Sequence, residues 1–316
     1  MAKKALILGI NGQDGSFLAD ILISKGYEVH GLVRRNSQPN LWRIQHCLDK
    51  ITLHQGDLLD PVSVQEVFYK VAPNEVYNEA DQDHVSFSTS TPSYSAAVTY
   101  GAVANLLEML KPHKSVKLFQ PLSATMFGNA PAPQSLETPF DPQSPYAVAK
   151  VAAYYLCKHY REKHGVQVYT AILYNHDSVR RQGDYLLHHI CKAAVKIAHE
   201  DQESLTVDNP NLRVDIGSAQ EYMEICHKLM QLPDGIDIVL GTGFSGSIHS
   251  FIQSAFDYCT VPWLCFKKTK EGNTFPHMEA DTSQVTSLLD TKPKISIYTL
   301  IPEICDYYTD TLYGGK

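Results

Sequence analysis

Tyr146 and Lys150 stand four residues apart in "SPYAVAK", so on a helix both side chains project from one face. An ammonium beside a phenol lowers its pKa from about 10, which brings a phenolate base nearer to neutrality. Ser123 closes the preceding apolar run, "SVKLFQPLS", and its hydroxyl can bond the same substrate oxygen. Together the three suit removal of an alcohol proton while hydride leaves for a nicotinamide. A tyrosine and a lysine at this spacing, met alone, usually mean a packed ring beside an exposed amine. The redox reading gains its weight from a second motif upstream.

That motif is "LILGINGQDGSFLADIL", in which Gly9, Gly12 and Gly15 fall as GxxGxxG directly after a strand pattern and directly before a helical one. Glycines there let the chain turn tightly and let a pyrophosphate approach backbone amides at a positive helix N-terminus. Asn11, Gln13 and Asp14 complete the same turn. Past the second strand pattern the chain reads "GLVRRNS", and Arg34 with Arg35 favours a 2′-phosphate, hence NADP over NAD. In "GDL", Asp57 and Leu58 are placed to hold an adenine edge.

The elements that must position these groups alternate. Strands are expected at 5–8, 27–33, 51–56, 75–78, 115–120 and 166–174, with helical patterns such as "SFLADILISKG" between them. Such βαβ units predict an α/β fold, a Rossmann-type doubly wound parallel sheet, over residues 1–175. From 176 to 316 the regularity fails. The helical segments 185–200, 218–231 and 246–259 mix with short strand patterns at 237–243 and 261–266, which reads as a smaller mixed α/β lobe interleaved with the first domain. No repeat or low-complexity segment is visible.

A chain of 316 residues with a net charge of −7 and no long basic run has no electrostatic footprint for nucleic acid or anionic membrane, so the expected partner is a small molecule. No apolar run approaches the roughly 20 residues a membrane helix needs. The opening "MAKKALILGI" imitates a signal peptide only weakly and reads as the first strand, which points to the cytoplasm. Seven scattered cysteines, never as CxxC, fit reduced thiols. No metal is expected, because the adjacent His188 and His189 lack a second ligand cluster at suitable spacing.

Over roughly its first 180 residues the chain resembles the extended short-chain dehydrogenase/reductases, NAD-dependent epimerase/dehydratase type, and among them the GDP-mannose 4,6-dehydratase family. The similarity runs through "ALILGINGQDGSFLADILISKGYEVHGLVRRNS", "HQGDLLD", "VYN" with "QDHV", "PFDPQSPYAVAK" and "ILYNHDSVRR". It implies a C-terminal lobe over a nucleotide-sugar, tightly held and recycled NADP or NAD, and a homodimer or homotetramer built partly by the arginine-rich loop. By the same resemblance Gln82, His84, Asn175, Arg180, Arg181 and His189 belong on the substrate side, and Arg213 stands one place early for the family's "RDW", here "VDI" at 214–216. Phe275 stands where the family carries an arginine.

One departure bears on the chemistry. Where these dehydratases carry Ser or Thr, one residue, then Glu, this chain has Ser123, Ala124 and Thr125. After C4 oxidation, dehydration needs a base for the C5 proton, and a threonine alcohol cannot serve at neutral pH. "SATMFG" is instead similar to UDP-galactose 4-epimerases. Glu79, Asp81 and Asp83 are expected as ordinary loop acids facing solvent, with replacement of the lost carboxylate as the alternative. The leading expectation is C4 dehydrogenation or epimerisation of a GDP-mannose-type hexose or heptose without dehydration. A dehydratase with a relocated acid, Asp81 or Glu79, stands second, and a non-catalytic nucleotide-sugar sensor third.

Overall fold

The computed structural model describes residues 2–37, 40–181, 185–268 and 277–314. Seven parallel strands form its centre: β1 (Lys4–Leu8), β2 (Glu28–Val33), β3 (Ile51–Gln55), β4 (Glu75–Asn78), β5 (Lys117–Ser123), β6 (Gln167–Leu173) and β7 (Asp237–Leu240). Across the sheet they run β7-β6-β5-β4-β1-β2-β3. The order reverses between β1 and β4, where Ala5 pairs with Glu75 and Leu8 with Asn78. Crossovers leave to opposite faces on either side of that junction and open a crevice beyond the strand ends.

The longer α-helices among the described residues are α1 (Gln13–Ser24), α2 (Pro61–Val71), α3 (Ala102–Leu110), α4 (Pro145–His164), α5 (Leu186–Ala198), α6 (Ala219–Met230), α7 (Ile248–Tyr258) and α8 (Ile297–Tyr313). One face of the sheet buries Val64, Phe68, Leu106, Leu107, Ala153 and Cys157 of α2, α3 and α4 against Leu6, Val76 and Leu118. The other buries Phe17, Leu18 and Leu22 of α1 with Tyr222, Met223, Cys226 and Met230 of α6. A third cluster joins α5, α7 and α8 through Leu187, Phe251, Ile252, Ile301 and Ile304. That cluster lies apart from the two that pack on the sheet.

All six N-terminal strand expectations are met: the aliphatic runs of the central strands are buried on both faces, as a parallel sheet requires, while β3 at the sheet's edge is half-exposed. Two segments expected among the lobe's elements lie with the sheet instead. The stripe Ala219, Tyr222, Met223, Cys226, Leu229 and Met230 recurs at helical spacing and packs α6 on α1. Asp237–Leu240 pairs residue for residue with Thr170–Leu173 as the last strand. In 261–266, expected as a strand, Trp263–Cys265 make a helical turn, and Phe266–Lys268 pair with Leu205–Val207. None of the helices among the described residues is long and apolar enough to cross a membrane.

Candidate active site

Because every strand of the sheet runs the same way, the segments that follow β1, β4, β5 and β6 emerge at one edge. They line a cavity of about 770 Å³ that includes Gly12, Gln13, Asp14, Ser123, Tyr146 and Lys150.

On its floor, Gly9 turns with φ +79°, and a Cβ there would meet the Ala80 backbone at 2.9 Å, so only glycine fits beside the β4 loop. Gly15 lies against the Gly9 carbonyl, again leaving no room for a side chain. Gly12 caps α1 in extended conformation with no side-chain capping bond, which leaves the helix amides facing the cavity. This bare, positively polarised turn fits a dinucleotide diphosphate. Asp14 in the first turn would oppose that charge, yet it is paired. Burial works to raise its pKa, but the His176 imidazolium at 2.9 Å, with Arg181 beyond, outweighs burial and lowers it. Asn11 ties the turn to the following loop through Asn40 and Arg43, and Gln13 bonds Ser178.

At the other end, Ser144 caps α4 by accepting from the Ala147 amide at 3.1 Å, with Pro145 in the first turn, and this fixes the register that puts Tyr146 and Lys150 on the inner face. Ser123, last residue of β5, lines the cavity beside the Tyr146 phenol. The Thr125 hydroxyl donates to Ser123 Oγ at 2.9 Å. Lys150 Nζ donates to the Pro121 carbonyl at 2.8 Å and pairs with Asp81 at 2.7 Å. Asp81 also accepts from the Gln82 amide at 2.7 Å and the Thr99 hydroxyl at 2.5 Å.

This pairing corrects two expectations. Asp81 is the counter-ion of Lys150 rather than a solvent-facing loop acid. Tyr146 is raised above the ordinary phenol, first by burial, while Asp81 and Asp83 work against Lys150 and Ser123, so the free site holds the phenol and not the phenolate. Glu79 also faces the cavity, and its Oε1 has no hydrogen-bond partner; burial and the nearby Asp14 push its carboxyl well above the usual range. Only Asp83 matches the expectation: it is exposed, at the mouth, bonded to Tyr185 at 3.0 Å and 3.6 Å from Arg181.

The residues expected on the substrate side divide. His84, Asn175 and Arg181 line the cavity, and Arg181 lies 3.1 Å from Asp177 and 3.9 Å from the Tyr185 ring centre. Gln82 does not line it: its amide is used by Ser95 and by both backbone groups of His84. Arg180 holds Asp20 at 2.6 Å and lies over Phe17, pinning the segment to α1. His189 is exposed on α5, whereas His188 is buried between Ser178 and Tyr308. Arg213 is exposed and bonds the Ser245 carbonyl. Its neighbour Asp215 is buried and ties down Thr242, Gly243 and Ala280. Phe275 lies outside the described residues.

On the cofactor side, Arg34 and Arg35 are exposed just past β2, with Arg34 reaching Tyr94 at 3.3 Å. Asp57 accepts from the Leu59 amide and Leu58 is packed in the core; none of these four lines the cavity. Sequence reasoning missed Arg43, His176, Asp177 and Tyr185, which do. His176 and Asp177 had a signal, since any residue just past a parallel strand faces this edge. Arg43 had none. Among the described residues Asp20, His46 and Cys47 come close enough to share a metal, but Arg180 and His46 already occupy the Asp20 oxygens.

The GDP-mannose 4,6 dehydratase family model matches residues 6–297. The chain belongs to that family. It is 35% identical to GDP-mannose 4,6 dehydratase 1 of Arabidopsis thaliana, across 96% of this chain and 89% of the relative. Among solved structures it superposes on dTDP-glucose 4,6-dehydratase from Bacillus anthracis in complex with NAD (TM-score 0.85, 15% identity, 98% and 97% of the two chains). It superposes equally on RMD from Pseudomonas aeruginosa complexed with NADPH (TM-score 0.84, 19% identity, 98% and 100%). The fold is thus that of the Rossmann-type epimerases and dehydratases, and the chain is an enzyme of the short-chain dehydrogenase/reductase class that modifies nucleotide-sugars.

Proposed function

We propose that this enzyme transfers hydride between C4 of a GDP-linked, mannose-type sugar and NAD or NADP. The observation that carries the reading is the convergence of Ser123, Tyr146 and Lys150 on one cavity whose far end is the uncapped start of α1. The dinucleotide supplies a hydride acceptor or donor. Gly12 and the α1 amides would hold its diphosphate, and Arg34 past β2 favours NADP. Tyr146 exchanges the proton of the C4 hydroxyl, Ser123 orients that oxygen, and Lys150 acts on both through charge. Arg181 and Asn175 face the sugar nucleotide. The family's resemblance supports a cytoplasmic homodimer or homotetramer.

Two continuations follow C4 oxidation. Thr125, spent on Ser123, supports return of the hydride without loss of water. The names of the relatives support 4,6-dehydration, for which Asp81 or Glu79 would have to take the C5 proton. Similarity weighs on the side of dehydration and the local chemistry against it. Mass spectrometry of the product from GDP-mannose with NAD or NADP separates them: a product lighter by one water establishes dehydration, and an isomer of equal mass or a ketone lighter by two hydrogens establishes the other course. If neither forms and no cofactor is reduced, the C4 assignment fails.

A further inference from the structure

The floor of the cavity carries a carboxyl that C4 oxidation does not use. Glu79 follows β4, and its amide donates to the Leu8 carbonyl at 2.9 Å, which fastens the loop to the end of β1. The next residue, Ala80, is pressed so closely against Gly9 that the turn has no room for a Cβ. Glu79 therefore adjoins the glycine turn and lines the cavity together with Gly12, Gln13 and Asp14. Its Oε1 is buried and, among the described residues, has no hydrogen-bond partner. Two donors of that floor, Gln13 Nε2 and the His176 imidazolium, are both taken up by Asp14. The groups facing Glu79 are Asp14 of α1, Lys150 of α4 and Cys226 of α6. Burial and Asp14 hold its carboxyl well above the usual range, against the pull of Lys150. Asp14 stays ionised beside the His176 imidazolium, so that pair carries no net charge. A protonated Glu79 adds none. Such a floor meets a dinucleotide diphosphate without repulsion and offers it an O–H donor, whereas an ionised Glu79 could only accept and would set a negative charge beside the phosphates.

We propose that the Glu79 side chain belongs to the dinucleotide site: its unpartnered Oε1 gives a hydrogen bond to an oxygen of NAD or NADP beside the first amides of α1, and cofactor binding is thereby tied to one proton. The proposal rests on the reading of that turn as the place of the cofactor diphosphate. No covalent bond to the cofactor changes; the only exchange on binding is a proton between Glu79 and water. The sign follows from linkage. Binding is strongest where the free protein already holds the proton, below the titration of Glu79. It weakens by up to about tenfold per pH unit as pH rises through that titration, and each cofactor then draws about one proton from the buffer.

The test titrates the full chain, cleared of carried-over dinucleotide with charcoal, with NAD, NADP and ADP-ribose. Calorimetry at several pH values, each in two buffers of different ionisation enthalpy, yields Kd and the number of protons taken up. The 2′-phosphate of NADP and the His176–Asp14 pair titrate as well, so the difference between native chain and variant is what is read. The expected result is a native Kd that rises with pH while proton uptake grows toward about one per ligand. Glu79→Gln, which keeps a donor without a titratable proton, holds its Kd near the native acid value and takes up about one proton fewer in the alkaline range. Glu79→Leu, which loses the donor too, binds about three- to tenfold more weakly in acid and lacks the same share of the pH dependence; it serves if Glu79→Gln does not fold. A spectroscopic readout stands beside these. Infrared difference spectra on addition of ADP-ribose show a protonated-carboxyl stretch that shifts in the native chain and is missing from both variants. Equal pH profiles and equal proton uptake in the native chain and the variants overturn the role of Glu79 and leave the cofactor site intact. Absence of binding by NAD, NADP and ADP-ribose to the native chain at every pH overturns both.

Discussion

The two walls of the cavity are built on different principles. On one, Ser123, Tyr146 and Lys150 come from the end of a strand and the first turns of the helix that follows, so short spacing along the chain guarantees their meeting. On the other, residues from 82 to 213 were expected along a nucleotide-sugar, and the fold spends several of them on its own cohesion: Arg180 on Asp20, Gln82 on Ser95, Arg213 on Ser245. Local spacing defines a reacting corner; a binding wall depends on which charges the fold leaves free.

That contrast can be broken from either side. The largest effect belongs to the reacting corner: Tyr146→Phe lowers turnover by about 10²–10⁴-fold with an unchanged melting temperature, measured by cofactor absorbance and by calorimetry. If both fall together, the corner is structural and the comparison collapses. Arg181→Ala comes next, since it removes a cation that lines the cavity. It raises KM about tenfold or more at little cost in kcat, as steady-state kinetics would show. Arg180→Ala gives the opposite pattern, a stability loss of roughly 1.5–3 kcal/mol from the charged hydrogen bond to Asp20 with KM held. A rise in KM for Arg180→Ala would place that arginine on the substrate.

Glu79→Gln sharpens the cavity floor. The folded protein holds this carboxyl protonated because burial and Asp14 disfavour the anion. With the folded pKa raised, its contribution to stability is complete below the unfolded carboxylate range and is lost as pH rises through the folded value. Urea denaturation should show the native chain weakening from acid toward pH 8, and the variant gaining about 1–3 kcal/mol over it there. The smallest effect is Arg213→Ala, within about 0.5 kcal/mol and with unchanged KM, as expected of an exposed arginine outside the cavity.

How much of this was legible follows from the same contrast. Buried strands announce themselves as aliphatic runs, and the glycine turn and the Tyr146–Lys150 spacing are local signals, so the sheet and the turn after β1 could be read directly. The Asp81–Lys150 pair could not be read from spacing, as 69 positions separate the two. It was nonetheless within reach, because β4 and β5 are neighbours and a carboxylate just past β4 lies beside the end of β5, where α4 brings Lys150 to the Pro121 carbonyl. The positions of Arg180 and Gln82 were beyond reach, since competition among several acceptors for one donor is settled only by packing. The return of residues 237–240 to the sheet was hidden for another reason: an apolar run as short as Ile238–Leu240 looks alike in a core strand and in a lobe.

That return has a consequence for anyone who would dissect the molecule. β7 covers the outer side of β6 with a parallel ladder, yet it arrives only after the chain has passed through more than sixty residues of other structure. A fragment ended near residue 175 would leave the backbone of Gln167–Leu173 bare along one side, a long, flat, apolar edge ready to recruit strands from other molecules. Such a piece should precipitate in place of folding as a free-standing cofactor module, and its solubility should return when a peptide carrying residues 219–240 is supplied.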